Sequence, residues 1–257
     1  MMNSKNRSQS RPKFNQGILW RKRIVVILAV ILVGTILVGG IMKYASFQKE
    51  EEARLNNYST HGVTLNQDDG TVDFQQLQQK NVDFVYLTAT TGATYLDDSF
   101  NGNYQRIQGV NVPVGVIHSF GFQKDAQKQF DFFKSKLKNN IGTLPIAINI
   151  EYYGDFNANN VRWQKQGPQV VKLIRLLANY YGQAVIIKTT PDIYKKLYKK
   201  YVRQTPFWIV TTHVGKAVKN IKLVQFDDRR YENDGEQLTL PESYFSGNKE
   251  MWRDFSN

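Results

Sequence analysis

The chain contains no cysteine, which removes disulfides, thiolate nucleophiles and cysteine-ligated metals together. Histidine is nearly absent as well. His61, His118 and His213 stand far apart and form no H-x-x-x-H pair, so no metal centre is expected. Phosphate-cradling glycine motifs are also missing. The first candidate strand and its exit, Gly62-Val63-Thr64-Leu65-Asn66, match neither G-x-G-x-x-G nor G-x-x-x-x-G-K-[ST]. A nucleotide or dinucleotide fold loses its main support, and no cofactor is expected.

Acidic residues are missing from the N-terminal region. Seven basic residues (Lys5, Arg7, Arg11, Lys13, Arg21, Lys22, Arg23) and no acidic one precede an uncharged run over 24–42. A helix of that length rises roughly 28 Å, enough to cross a bilayer. Lys and Arg stay on the cytoplasmic side of such a span. The expected organisation is therefore a basic cytoplasmic tail (1–23), a transmembrane helix (24–42), an extracellular spacer (43–60) and one globular domain (61–257). This describes a single-pass cell-membrane protein with its N-terminus inside and its C-terminal domain outside. A cleaved secretory signal is the competing reading, but its apolar stretch is normally about 7–15 residues and ends in a small-x-small site. Cleavage after Ala45 would put Lys43 where a small residue is required.

The formal charge is +12, from 34 basic and 22 acidic residues; without the seven in the tail, 27 basic residues face those 22, a surplus of 5. Nucleic acid is not an expected partner of so modestly basic a domain, whereas anionic wall polymers or lipid headgroups would be attracted at short range.

Beyond the spacer, short apolar runs alternate with amphipathic segments. Strands are expected over 62–65, 84–90, 114–119, 146–151, 184–189, 207–212 and 223–226, and helices over 74–79, 100–109, 126–137, 163–180 and 193–201. Such alternation builds a parallel sheet, either doubly wound or closed into a (β/α) barrel. A barrel carries its function at the C-terminal ends of its strands. The residues there are Thr64 and Asn66, Thr88 and Thr90, His118 and Ser119, Asn149 and Glu151, Thr189, Thr211 and His213, and Gln225 and Asp227. Most strand ends are polar simply because they meet solvent. Asn149 and Glu151 differ, because at i and i+2 on one strand both project to the same face. A carboxyl group on the lumen side is paired, solvated in a cleft, or kept protonated as a general acid.

Several motifs, in order, resemble the glycoside hydrolase family 25 lysozymes, N-acetylmuramidases that act on bacterial peptidoglycan. The opening G-[IV]-D-[VI]-S strand is similar to Gly62-Val63-Thr64-Leu65-Asn66, followed by Gly70 and Val72-Asp73-Phe74. Later matches are Asp83-Phe84-Val85-Tyr86-Leu87-Thr88-Ala89-Thr90-Thr91-Gly92, Asp97-Asp98-Ser99-Phe100-Asn101-Gly102-Asn103 and Val114-Gly115-Val116-Ile117-His118-Ser119-Phe120. The D-x-E strand corresponds to Asn149-Ile150-Glu151, the l-W-[IV]-A-x-Y strand to Phe207-Trp208-Ile209-Val210-Thr211-Thr212, and the W-Q-[YF] strand to Val224-Gln225-Phe226. The resemblance implies an irregular TIM-like (β/α) barrel with a glycan groove across its strand ends. It carries the family's acids onto Thr64, Asn149, Thr211 and Glu151, and only Glu151 retains a carboxyl group.

Glycosidases of the usual kind need two carboxyl groups. Losing roughly 3–5 kcal/mol of transition-state stabilisation per missing carboxylate slows the reaction by about two to four powers of ten. Asn and Thr still hydrogen-bond sugar hydroxyls. The leading expectation is thus a membrane-anchored domain that engages peptidoglycan with weak or absent hydrolysis. Glu151 is the candidate general acid beside Asn149, and Thr64, Asn66, Thr88, His118, Thr211 and Gln225 form the candidate glycan contacts. One alternative is an active muramidase whose second carboxylate comes from Asp68, Asp69, Asp155 or Asp227. The other is an envelope scaffold using the basic aromatic segment 194–201, although Ile193, Leu197 and Tyr201 also fit a buried helix face with solvated lysines between them. Trp163, Trp208 and Trp252 could stack on sugar rings, but the first two sit where core residues are common.

Overall fold

The computed structural model describes residues 16–55, 58–212, 220–233 and 235–256. The chain divides into two compact units, Met1–Ala53 and Arg54–Asn257.

The first unit is dominated by one helix, α1 (Gln16–Leu55), which runs without interruption through the apolar stretch and into the polar segment after it. Its portion Arg23–Ser46 has a mean hydropathy of 3.0 and is long and apolar enough to cross a membrane. Its large apolar side chains, among them Val25, Ile31, Leu37 and Met42, are exposed. A helix apolar on every side finds its partner in an apolar surrounding, since it has no single stripe to lay on a core.

The second unit is a closed barrel. In chain order it contains β1 (His61–Leu65), α2 (Phe74–Gln79), β2 (Phe84–Thr91), β3 (Tyr95–Leu96), α3 (Phe100–Ile107), β4 (Val114–Ser119) and α4 (Ala126–Leu137). Then follow β5 (Ile146–Ile150), α5 (Trp163–Tyr181), β6 (Val185–Thr189), α6 (Pro191–Leu197), β7 (Phe207–Val210), β8 (Ile221–Asn233), β9 (Glu236–Phe245) and α7 (Lys249–Ser256). The wall reads β1-β2-β4-β5-β6-β7-β8-β9 and closes back on β1, with β3 an antiparallel flap on β2. All neighbours through β8 are parallel. β9 returns antiparallel from β8 through a turn with Gly235 at φ 85° and pairs antiparallel with β1, His61 opposite Tyr244.

Local chemistry sets the element limits. Asp73 caps α2 by accepting from the amides of Gln75 and Gln76, and Asp125 caps α4 by accepting from Lys128. Gly182 ends α5 in the left-handed region at φ 66°. Val170, Leu173 and Leu177 form the fully buried stripe of α5.

Alternate wall residues fill two separate cores. The outward set packs under the helices, while the inward set, Phe84, Tyr86, Ile117, Ala147, Ile186, Trp208, Leu223 and Phe245, fills the lumen. Two glycines make room for the lumenal rings. A Cβ on Gly62 would lie 2.3 Å from the Phe84 ring, and one on Gly115 would lie 2.3 Å from the Tyr86 ring. The N-terminal end of the barrel is stoppered by α7. The Trp252 ring stands 4.9 Å from Phe84 and 5.2 Å from Phe245, and Phe255 stands 5.3 Å from Phe245. Trp252 is therefore a plug at the end opposite the strand C-termini, and Trp163 and Trp208 are buried. None of the three is a sugar-stacking platform.

On the outer face of the closing strand, Glu242 is 3% exposed and bonds with four side chains. Its Oε1 lies 2.9 Å from His61 Nδ1 and 3.0 Å from Arg229 Nη1; it accepts from Tyr231 at 3.3 Å, and Oε2 accepts from Tyr244 at 2.6 Å. Burial pushes this carboxyl upward, but His61, Tyr244 and Arg229 outweigh it and hold it at about 2.

Two stability outcomes follow from these contacts. Gly115→Ala should cost about 1–3 kcal/mol in denaturant unfolding of the full chain in detergent micelles, because the ring of Tyr86 has nowhere to move. Gly109→Ala, whose Cβ would meet its nearest neighbour at an ordinary 3.7 Å, should be near neutral. For Glu242 the folded pKa lies below the unfolded one, so its contribution of about 2 kcal/mol is complete above roughly pH 4.5 and is lost as pH falls toward 2. Glu242→Gln should flatten that acid limb of the stability curve.

Candidate active site

The inward parity of β5 brings Ala147, Asn149 and Glu151 up one side of the lumen. Ala147 belongs to the apolar filling, Asn149 is half-buried, and Glu151 stands exposed at the open end. Asn149 Nδ2 donates to Glu151 Oε1 at 3.0 Å. The two residues singled out by their i, i+2 spacing are thus joined.

Register then places Lys188 of β6 beside Asn149, and Trp208 of β7 beside Lys188. Lys188 is 9% exposed, and its Nζ lies 4.4 Å from the centroid of the Trp208 ring. Its ammonium makes no hydrogen bond to any described residue, and no described carboxylate lies within 4.0 Å of it. Burial lowers its pKa to about 8, with Glu151 acting in the opposite direction. A cation–π contact of about 2 kcal/mol offsets part of the cost of burying the charge. The sequence carries a signal for this residue: in Val185-Ile186-Ile187-Lys188-Thr189 a lysine interrupts an otherwise apolar strand in phase with lumenal Ile186.

The lumen holds further unmet polar capacity. Thr64 Oγ1, Trp208 Nε1, Gln225 Oε1 and Ser243 Oγ are buried without a hydrogen-bond partner among the described residues. They sit on β1, β7, β8 and β9, with Gln225 directly opposite Ser243. Buried polar atoms are satisfied in the great majority of proteins, each orphan costing about 1–3 kcal/mol. Four around one lumen, together with a buried lysine, set this interior apart from a packed apolar barrel.

The rim is built by the strand exits. Asn66 Oδ1 accepts from Asp68 N at 2.7 Å, and Asp69 Oδ2 accepts from Asn66 N at 2.7 Å, so Asn66 and Asp69 close a short 3-10 turn over Gln67–Asp69. Asp97 accepts from Gln67 N and Ser99 N, each at 3.0 Å, tying that turn to the start of α3. Burial raises the carboxyls of Asp69 and Asp97, with the backbone donors opposing. On the far side, Tyr153 stacks on Phe122 at 5.6 Å and 8° while remaining 38% exposed. Tyr152, next to Glu151, donates to Asp192 at 3.2 Å. Tyr153 was not singled out by sequence, since nothing local separates it from the other tyrosines.

The remaining candidates are dispersed. His118 does not reach the groove. It follows lumenal Ile117, faces outward and is fully buried, with Nδ1 2.8 Å from Thr90 Oγ1 and Nε2 3.2 Å from Gln129 Oε1. Burial lowers it to about 4, against the Gln129 bond, so it is a neutral wall residue. Thr88 is half-buried at a bulge between Thr88 and Thr90. Thr211 follows β7, its amide donating to Gln225 O at 2.8 Å. Asp68 and Asp155 are exposed. His213 and the side chain of Asp227 lie outside the described residues. In the segment 194–201, Leu197 is fully buried, as is Ile193 before it, while Lys195, Lys196, Lys199 and Lys200 are exposed.

The sequence model described as glycosyl hydrolases family 25 matches residues 64–234. The chain belongs to glycosyl hydrolase family 25. It is 25% identical over 172 residues to an autolytic lysozyme of Clostridium acetobutylicum, covering 64% of this chain and 49% of that protein. The chain thus spans about half the length of that curated relative. Its fold is similar to a family 25 glycosyl hydrolase from Bacillus anthracis, with TM-score 0.71 and 22% identity over 78% of this chain and 95% of that one. A bacterial lysozyme from Streptomyces coelicolor gives TM-score 0.65 and 17% identity over 77% and 97%. The lysozyme-like domain and its closed barrel are those the motifs implied.

Lys188 gives this family 25 domain a measurable signature. Its folded pKa lies below the unfolded value, so the unfolded chain holds the proton more tightly between about pH 8 and 10.5, and stability rises with pH across that window. Lys188→Met should stabilise the full chain by about 2 kcal/mol at pH 7 in denaturant titrations and lose that advantage above about pH 10.5.

Proposed function

We propose that α1 anchors the chain in the cell membrane with the N-terminus inside, and that the family 25 domain outside holds peptidoglycan with little or no hydrolysis. The domain limits 1–23, 24–42, 43–60 and 61–257 fit this arrangement. The observation that carries the proposal is the content of the groove floor: Glu151 hydrogen-bonded to an amide at 149, with a buried lysine on the next strand.

Glycoside cleavage passes through an oxocarbenium-like state, so positive charge develops at the sugar. Carboxylates around it lower the barrier, and a cation raises it. At an effective dielectric of about 20, one unit charge about 6 Å away is worth about 3 kcal/mol, or some two powers of ten in rate. Replacing acids by Thr64 and Asn149 removes attraction, and Lys188 adds repulsion. Asp69, one of the acids considered as a second carboxylate, is engaged by the Asn66 amide in the rim turn. Thr64, Asn149 and Gln225 keep the hydrogen-bonding chemistry that sugars need, and exposed Tyr153 offers a stacking face.

The test is to incubate the full chain in detergent micelles with purified peptidoglycan, measuring sedimentation with the polymer and release of reducing ends. Co-sedimentation with release at least a hundredfold below that of a family member retaining its acids is expected. Robust release that Glu151→Gln abolishes would refute the proposal in favour of a working muramidase, as would release that disappears on changing Asp68, Asp155 or Asp227.

A further inference from the structure

We propose that a trough on the outer, helical layer of the barrel, between α5 and the turn that follows α6, binds an extended phosphodiester polyanion. The trough lies away from the strand C-termini, so the inference is independent of glycan binding there. The proposed placement of the domain outside the cell enters only in choosing an anionic wall polymer as the occupant.

Charge is segregated within the chain. Over 162–206 ten basic residues face a single acid, Asp192, whereas outside the basic tail the remaining sequence holds 17 basic and 21 acidic residues. The whole basic surplus beyond the tail therefore comes from α5, α6 and their connections. Lys188 is lumenal, but Lys172 and Arg175 on α5 and Lys199, Lys200 and Arg203 after α6 are all exposed. Two hollows of about 430 and 450 Å³ lie between these groups and share Val171, Arg175, Lys200 and Tyr201, so they form one trough. No acid lines either hollow, and among the described residues no carboxylate lies within 4.0 Å of the five cations. Asp125, the cap of α4, acts on Lys172 from the neighbouring helix; the Lys128 amide first, and Lys172 among lesser causes, hold its carboxyl below the usual range.

The walls are held in place. The Tyr201 ring lies against α5 at Gly167, where a Cβ would come within 2.6 Å of it. A glycine inside a helix is destabilising, and here it admits the ring. Val202 is buried, and the amides of Tyr201 and Val202 donate to Leu197 O at 2.9 and 3.3 Å. Arg203 Nε donates to Lys199 O at 2.6 Å. Lys199 and Lys200 thus project from a fastened turn, and the basic aromatic segment 194–201 supplies one side of the trough.

Shape and charge together select the partner. Like charges gathered without counter-ions repel one another, and an anion that meets several within about 8 Å relieves them all. Arginine offers forked donors and lysine a point charge, a combination suited to phosphate. A planar lipid surface cannot enter a concave trough. A flexible chain with a phosphate in every repeat can lie along it, meeting cations on both sides while Val171, Ile174 and Tyr201 contact its aliphatic linkers.

The test measures, by calorimetry, binding of a short poly(glycerol phosphate) to the full chain in non-ionic detergent micelles. The basic tail also attracts polyanions, so two variants of equal charge loss are compared. One combines Lys172→Gln, Arg175→Gln, Lys199→Gln and Lys200→Gln; the other combines Lys80→Gln, Lys128→Gln, Lys136→Gln and Lys249→Gln, all at exposed positions. The trough variant is expected to bind at least tenfold more weakly than the native chain and the other within twofold, with thermal unfolding confirming that both are folded. Lys199→Glu with Lys200→Glu, confined to the exposed turn, gives a second reading of the same loss. Native affinity should also fall at least tenfold between about 50 and 200 mM salt. Co-sedimentation with peptidoglycan stripped of anionic polymer should be the same in all these chains, so a failure of the glycan reading shows there and leaves the trough untouched. Equal losses in the two fourfold variants overturn the inference, as does trough-dependent binding of duplex DNA tighter than that of the polymer. Competition by glycerophosphoglycerol, an anionic lipid headgroup, that matches the polymer phosphate for phosphate also overturns it.

Discussion

Closure of the wall is the constraint on which the rest depends. β9 fits antiparallel between β8 and β1, and once that seam forms, every strand has two neighbours and every second residue must point inward. Inward residues then share a space that cannot widen. Gly62 and Gly115 are required because Phe84 and Tyr86 occupy the volume a side chain would need. The aromatic filling ends where α7 meets it, and polar residues are left to the layer below the open end. Glu242 secures the seam from outside, its bonds reaching β1 through His61 and β8 through Arg229 and Tyr231.

The same parity decides which candidate residues meet. Asn149, Glu151, Lys188 and Gln225 converge because each is in phase with an apolar lumenal residue two or four positions before it. His118 is excluded by the same rule, one step after Ile117. Its two ring nitrogens serve Thr90 and Gln129, a wall contact that sequence could not tell from a groove contact, since either use calls for a histidine near a strand end.

Much of the architecture was legible because it rests on periodicity. The strand over 114–119 and the helices over 74–79 and 126–137 coincide with β4, α2 and α4, and the motif order led to the right family. What was hidden has physical causes. β9 alternates Leu238 and Leu240 with polar residues and follows an Asp-Gly pair in the sequence, but Pro241 and Glu242 interrupt the pattern that marks a strand. The proline is tolerated beside the bulge between Gln225 and Asp227, and the acid is neutralised by partners distant in sequence. Helix α7 looks like a polar tail until Phe84 and Phe245 supply the cavity that Trp252 and Phe255 fill. Lys188 was passed over because a lysine ending an apolar run usually marks the point where a strand meets solvent. Only the closed wall turns that position into an interior one.

A buried lysine and four lumenal polar atoms with no hydrogen-bond partner among the described residues are features that a barrel of this size could replace by apolar ones. Asn149 narrows the reason for keeping them. An aspartate at that position would set two carboxylates side by side, the arrangement glycosidases exploit, and would place a negative charge near the ammonium. The amide instead donates to Glu151, which is then the described carboxyl group acting on the Lys188 ammonium. The floor of the groove thus pairs an exposed carboxyl group at 151 with a buried ammonium at 188, and the proposal of binding with little hydrolysis rests on that pairing.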